Sequence, residues 1–128
     1  IAQDDVQIRG HAIECRVNAE DADNGFAPRP GTIREFRAPG GFGVRLDTHL
    51  ESGATIPPFY DSMVGKLICW GRDRDEAIAR ALRALQEMRI EGVVTTARFH
   101  EEVLDSPRFR SGAFNTGYIA EFMEERRA

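Results

Sequence analysis

Arg9-Gly10-His11-Ala12-Ile13-Glu14-Cys15-Arg16-Val17 is the stretch on which the fold turns, because it alternates without a break. Ile13, Cys15 and Val17 fall on one face, and Glu14, Arg16 and Asn18 on the other. A period of two with one apolar face belongs to a half-buried strand. Upstream, Ala2 to Gln7 is polar and has no core of its own, so residues 1–8 are expected to be a tail. Downstream, Asn24-Gly25 and Pro28-Arg29-Pro30-Gly31 break the chain, and Thr32 to Arg37 reads as a second strand. The loop Pro39-Gly40-Gly41-Phe42-Gly43 reads as a tight turn into a third, Val44 to His49. There Val44 and Leu46 face one way, while Arg45, Asp47 and His49 face the other. After Pro57-Pro58, Met63 to Trp70 supplies a long apolar strand interrupted by Lys66.

The second half changes period. Asp73 with Glu76 three residues on has the form of a capping box. Ile78, Ala81, Leu82, Leu85 and Met88 recur at helical spacing, and Gly92 stands where a helix C-cap belongs. A shorter helix is expected over about Ala97 to Leu104, ended by Ser106-Pro107. A last one starts near Asn115 or Thr116, with Tyr118, Ile119, Phe122 and Met123 as its buried stripe. Strands first and helices later predict an α+β fold, an antiparallel β-sheet followed by packed helices.

Bulk properties exclude several classes. The chain has 128 residues, the size of one domain, with 41% hydrophobic and 30% charged residues. A net charge of -4, with basic and acidic residues interleaved as in Arg72-Asp73-Arg74-Asp75, argues against nucleic acid as a partner. No apolar run approaches the ~20 residues that cross a bilayer, so no membrane association is expected. A basic-then-apolar leader is also missing, so export is not expected. The two cysteines, Cys15 and Cys69, sit inside apolar strands. That pattern reads as buried thiols in a reducing compartment, the cytoplasm, or the mitochondrial matrix in a eukaryote.

The same residues are poor in catalytic motifs. The glycine loop lacks the Gly-Lys-Ser/Thr ending of a phosphate cradle. His11, His49 and His100 have no metal-ligand spacing, so no metal site is expected. Ser62 lies outside any Gly-x-Ser-x-Gly elbow. Composition and spacing stop at an α+β domain.

The wording of the chain goes further. Arg9 to Asp21, Pro28-x-Pro-Gly31, Ala38-Pro-Gly-Gly-Phe-Gly-Val-Arg45 and Pro57-Pro-Phe-Tyr-Asp-Ser-Met-Val-Gly-Lys66 occur in order. With Arg74-Asp75-Glu76-Ala77-Ile78 and Asn115-Thr116-Gly117-Tyr118, they closely resemble the C-terminal domain of biotin carboxylases. The resemblance covers roughly residues 8 to 122. It implies a domain over 9–123, a 1–8 tail from a preceding ATP-grasp region and a C-terminal tail over 124–128.

Enzymes of that family carboxylate biotin carried on a partner protein, using ATP, Mg2+ and bicarbonate. Bicarbonate and ATP give carboxyphosphate, which yields carbon dioxide and phosphate. A base removes the N1′ proton of biotin, and the enolate attacks carbon dioxide. The nucleotide-binding lysines, magnesium carboxylates and base all belong to the ATP-grasp region, so this chain alone is expected to be inactive. The resemblance makes Arg16 the catalytic residue, directed at the ureido oxygen of biotin and at bicarbonate. Without it, Arg16 reads as a strand-surface arginine paired with Glu14 or Glu20. Asp61 would orient Arg16 in the biotin and bicarbonate site, or cap a turn. Thr116 would lie near the adenine of ATP, or cap a helix. Phe42 and Arg45 would sit at a two-fold homodimer interface, although Phe42 packed into its own core is the alternative. Lys66 would pair with a carboxylate or snorkel out at an edge.

Implied partners are the preceding ATP-grasp domains and a biotin carboxyl carrier protein. Acetyl-CoA carboxylase is the first reading for the parent. The alternatives are a non-catalytic dimerisation or assembly domain, the equivalent domain of another ATP-grasp ligase, and a biotin carrier. The carrier would need its lysine in a hairpin turn, whereas Lys66 lies inside a strand.

Overall fold

The computed structural model describes residues 1–59 and 61–127. Tyr60, within the Pro57-Pro-Phe-Tyr-Asp block, and Ala128, the last residue of the expected tail, lie outside them. The opening alternation forms β1 (His11–Asn18), with Ile13, Cys15 and Val17 buried and Glu14 and Arg16 exposed. Short strands follow: β2 (Glu20–Asp21), β3 (Ala27–Pro28), β4 (Gly31–Thr32) and β5 (Glu35–Arg37). Then come β6 (Val44–Thr48), β7 (Thr55–Ile56) and the long β8 (Met63–Gly71). After β8 come α1 (Arg74–Glu87), β9 (Arg89–Glu91), α2 (Ala97–Asp105), α3 (Pro107–Ser111) and α4 (Tyr118–Arg127), and short 3-10 turns lie at Gln3–Asp5 and Ala22–Asn24. The fold is α+β, as its order of strands and helices predicts.

The central sheet is antiparallel, in the order β1-β8-β6. One face carries Ile13, Cys15, Leu67 and Cys69, and α1 seals it with Ala77, Ile78, Ala81, Ala84 and Leu85. Burying branched and aliphatic side chains at about 25 cal/mol per Å² is the main stabilising term here. A second cluster, Val17, Ile33, Leu50, Ile56 and Val64, fills the space beneath the short strands. A third, Ala22, Phe99, Val103, Tyr118 and Met123, joins α2 to α4. The join from β8 into α1 needs a glycine: a Cβ on Gly71 would lie 2.4 Å from the Ala77 nitrogen.

Several local expectations give way to tertiary pairing. Thr32 to Arg37 is not one strand: β4 pairs β7, β5 pairs β9, and buried Ile33 lies between them. The 39–43 loop is therefore no hairpin turn but a crossing from one sheet to another. Gly92 does not cap α1, which ends at Met88 in an extended conformation. Instead Gly92 follows β9 at φ +105, where a Cβ would meet the Thr32 carbonyl oxygen at 2.1 Å. Ser106 ends α2 and also caps α3, a helix the Ser-Pro break concealed. The expected 124–128 tail is helical through Arg127, with Arg126 paired to Glu102 and Asp23. Ile119, expected on the buried stripe, is instead 39% exposed.

The capping box at α1 forms in altered shape. The Asp73 carboxylate accepts from the Glu76 NH at 2.8 Å, whereas Glu76 reaches the Arg72 NH, at 2.6 Å, rather than that of Asp73. That backbone bond, with the Arg72 guanidinium, holds the Glu76 carboxyl below its usual range. Asp73→Ala should lower stability by about 1 kcal/mol, with Asp73→Asn nearly neutral, read from urea denaturation midpoints.

Candidate functional site

Because α1 covers one face of the central sheet, its charged side chains lie on the other, beside Ile68. Antiparallel register fixes their order. Arg16 on β1 stands opposite Lys66 on β8, which stands opposite Asp47 on β6. In the next row Glu14, Ile68 and Arg45 are aligned in the same way. Like charges placed directly opposite are destabilising in a sheet, so the Arg16–Lys66 pair is not what packing alone would select.

The Arg16 side chain is 72% exposed, and its ion pair is a long one, Nε to Glu14 Oε1 at 3.4 Å. Of the two carboxylates open to it from sequence, Glu14 is the partner. Glu20 instead accepts from the Asn18 amide at 3.4 Å and from the Ser62 hydroxyl. The Arg16 main chain is held more firmly than its side chain. Its carbonyl accepts from Thr96 Oγ1 at 3.2 Å and from His100 Nε2 at 2.7 Å. A carbonyl has no proton to give, so Nε2 carries it. Burial pushes the His100 imidazole below its ordinary range, partly offset by this same bond.

Arg45 makes a two-pronged pair with Asp47 of its own strand, at 2.7 and 2.9 Å. Those bonds, with a smaller contribution from Lys66, hold the Asp47 carboxyl below its usual range. Phe42 does not enter the core: it is 79% exposed, with the Arg80 guanidinium carbon 5.3 Å from its ring centre. Phe42 and Arg45 thus belong to one end of the sheet surface and Arg16 to the opposite edge strand.

Asp61 and Thr116 are not drawn to Arg16. Asp61 is exposed and its Oδ1 accepts from the Met63 NH at 3.0 Å, a turn-capping bond. No hydrogen bond or ion pair joins Asp61 to Arg16 among the described residues. Asp61 and Ser62 line a cleft of about 230 Å³ with Pro28, Pro30, Pro57 and Pro58. Thr116 is exposed in the turn before α4, where Asn115 makes the turn's bonds through Oδ1 to Gly117 N at 2.8 Å and through its carbonyl to Tyr118 N. Thr96 and His100 are the two residues beside Arg16 that sequence patterns do not point to. His100 is legible only as an isolated histidine, and Thr96 carries no signal, since both lie about eighty residues from Arg16.

Among the described residues no three of His, Cys, Asp or Glu converge. The two thiols are poor nucleophiles in the folded chain. Both are free and buried, and burial, with Cys69 and Glu14 adding, pushes the Cys15 thiol up to about 12. Below an ordinary cysteine value of 9.0 the thiol is neutral folded or unfolded. Above it the unfolded chain ionises first, so this contribution to stability is lost as pH rises from there toward 12. Native protein at about pH 8 should not react with a thiol-disulfide reagent, while urea-unfolded protein should react at both cysteines.

Over residues 14–121 the chain matches the family described as biotin carboxylase C-terminal domain. It is 50% identical over 121 residues to a biotin carboxylase of Nostoc sp., covering 94% of this chain. It is 52% identical over 120 residues to a pyruvate carboxylase component of Methanothermobacter thermautotrophicus, again over 94% of this chain. Those alignments take in 27% and 24% of the two relatives, so the chain spans about a quarter of their length. A solved structure of similar shape is the biotin carboxylase domain dimer of the Hydrogenobacter thermophilus 2-oxoglutarate carboxylase, in complex with MgADP, ADP and bicarbonate. It superposes with a TM-score of 0.92 at 41% identity, over 94% of this chain and 27% of that one.

Proposed function

Because the chain belongs to the biotin carboxylase C-terminal domain family, we propose that it closes one side of an active site for ATP- and bicarbonate-dependent carboxylation of carrier-bound biotin. ATP and Mg2+ are held by ATP-grasp domains that precede it in a longer protein, and biotin arrives on a biotin carboxyl carrier protein. The domain is then part of an ATP-dependent ligase. The ligands named for the Hydrogenobacter relative, MgADP and bicarbonate, are of the kind this reading requires.

Arg16 is the catalytic residue in this proposal. Negative charge develops on the ureido oxygen of biotin as the N1′ proton leaves, and a fixed guanidinium stabilises that charge more than the neutral ground state. Arginine suits the task because it stays charged and presents a rigid fork of donors. The observation that carries the reading is the open presentation of Arg16: 72% exposed, on the uncovered face of the sheet, with a 3.4 Å carboxylate contact. Asp61 and Thr116 take outer places in the proposal, at the edge of the biotin and bicarbonate site and near the adenine. Phe42 and Arg45 are proposed as homodimer contacts. For Arg45 this means exchanging or sharing Asp47 with an acidic group of the partner subunit. The exposed Phe42 also suits the second reading, a domain kept for dimerisation and assembly alone.

Acetyl-CoA is taken as the final acceptor, from the wording Glu14 to Asp21, and the cytoplasm as the compartment. The test is bicarbonate-dependent ATP hydrolysis with free biotin, followed by acetyl-CoA or pyruvate as acceptor. This chain alone should be inert, and the longer protein that carries it should turn over with acetyl-CoA. Turnover by the chain alone would overturn the division of labour, and preference for pyruvate would move it to the other acceptor class.

A further inference from the structure

The unpaired side of an edge strand presents a row of backbone donors and acceptors, and β1 lies at the edge of the sheet order β1-β8-β6. The N-terminal turn of α2 closes that side. Thr96 N donates to the Asn18 carbonyl at 3.0 Å, and Thr96 Oγ1 accepts from Asn18 N at 3.0 Å. One residue therefore pairs with Asn18 in both directions, as a partner strand would. The same hydroxyl donates to the Arg16 carbonyl at 3.2 Å, and His100 Nε2, one turn along α2, reaches that carbonyl at 2.7 Å.

Two features mark this arrangement as more than incidental packing. Thr96 is 4% exposed and occupies the N-cap of α2, yet its hydroxyl makes no cap bond to its own helix. An N-cap threonine ordinarily turns its oxygen to the NH of N2 or N3, so here the group is diverted to the strand. The register between β1 and β8 also shifts between Val17 and Asn18. The clamp grips residues 16 and 18, one on either side of that irregularity, where pairing with β8 alone leaves the strand least defined. α2 is itself anchored by buried Phe99, Val103 and Leu104.

We propose that Thr96 and His100 are positioning residues for Arg16, fixing the backbone from which its guanidinium is aimed. The proposal rests on the reading of Arg16 as the catalytic arginine. An exposed side chain with a long ion pair takes its placement from its main chain, and a misplacement of about 1 Å costs as much as 10²-fold in rate.

The test uses the full-length protein that contains this chain. Thr96→Val removes the hydroxyl at nearly constant shape and Thr96→Ser restores it. His100→Leu removes the donor and His100→Gln supplies another. Thr96→Val and His100→Leu should each lower kcat for free-biotin carboxylation by roughly tenfold per folded molecule, with KM for ATP unchanged. The Ser and Gln variants should recover most of the loss. In an Arg16→Ala background the same substitutions should change kcat by less than about twofold. Wild-type kcat per folded molecule in Thr96→Val and His100→Leu overturns the proposal, as do equal losses with and without Arg16. Full activity of Arg16→Ala by itself instead overturns the reading on which the proposal rests.

Discussion

Arg16→Ala, in the longer protein that carries this chain, should lower kcat for carboxylation of free biotin by about 10²–10³-fold. The expected loss has the size of one removed charge-stabilising donor set. Lys66 stands directly opposite, on the neighbouring strand and half-buried. KM for ATP should hold, since the nucleotide belongs to the ATP-grasp region in this proposal. Arg16→Lys should recover only part of the rate, because a point charge does not reproduce the planar fork. The fold should be untouched: the side chain is exposed, and its ion pair with Glu14 is of a kind that contributes little to stability. Steady-state kinetics beside a thermal melt separates the two effects. Normal carboxylation by the alanine variant would take Arg16 out of the mechanism and leave the domain as scaffold and dimer contact.

Leu67→Ala should be the converse, a large loss of stability with no direct effect on chemistry. Leu67 is 0% exposed at the middle of β8, opposite both Cys15 and Leu46, with α1 packed above. Truncation there leaves a cavity that neighbours on three elements cannot collapse into, so about 3–5 kcal/mol is expected. That is a large share of the roughly 5–15 kcal/mol of a typical domain. Urea denaturation should show a lower midpoint at unchanged slope. Leu82 on α1, half-buried, should cost clearly less when truncated. Equal losses at the two sites would mean that the sheet-helix interface is not the centre of the core.

The contrast between these two positions follows from β1 and β8 as written. Alternation alone tells which side of β1 is buried, and it holds residue by residue from Ile13 to Val17. The helix over Arg74–Glu87 is equally legible, because a cap and a 3.6-residue stripe agree on one element. Errors cluster where a local signal has two physical meanings. Glycines at 39–43 and 92 promise a hairpin and a C-cap, yet positive φ serves any sharp change of direction. Ser106-Pro107 promises a stop, but serine caps and proline at the first helical position also begin a helix.

The sequence by itself determined the class of the fold, the buried faces of β1 and α1, and Arg16 as the residue to test. Those properties depend on short-range periodicity and on wording, which need no knowledge of what lies beside them. Tertiary structure alone decided that β5 pairs with β9 across the whole of α1, that Asp47 is held by Arg45, and that Thr96 and His100 grip the strand behind Arg16. Each of these is a contact between groups whose partners are chosen by how the helices and strands stack. Hydrogen bonds act over about 3 Å whatever the distance along the chain, so no periodicity in the sequence carries them.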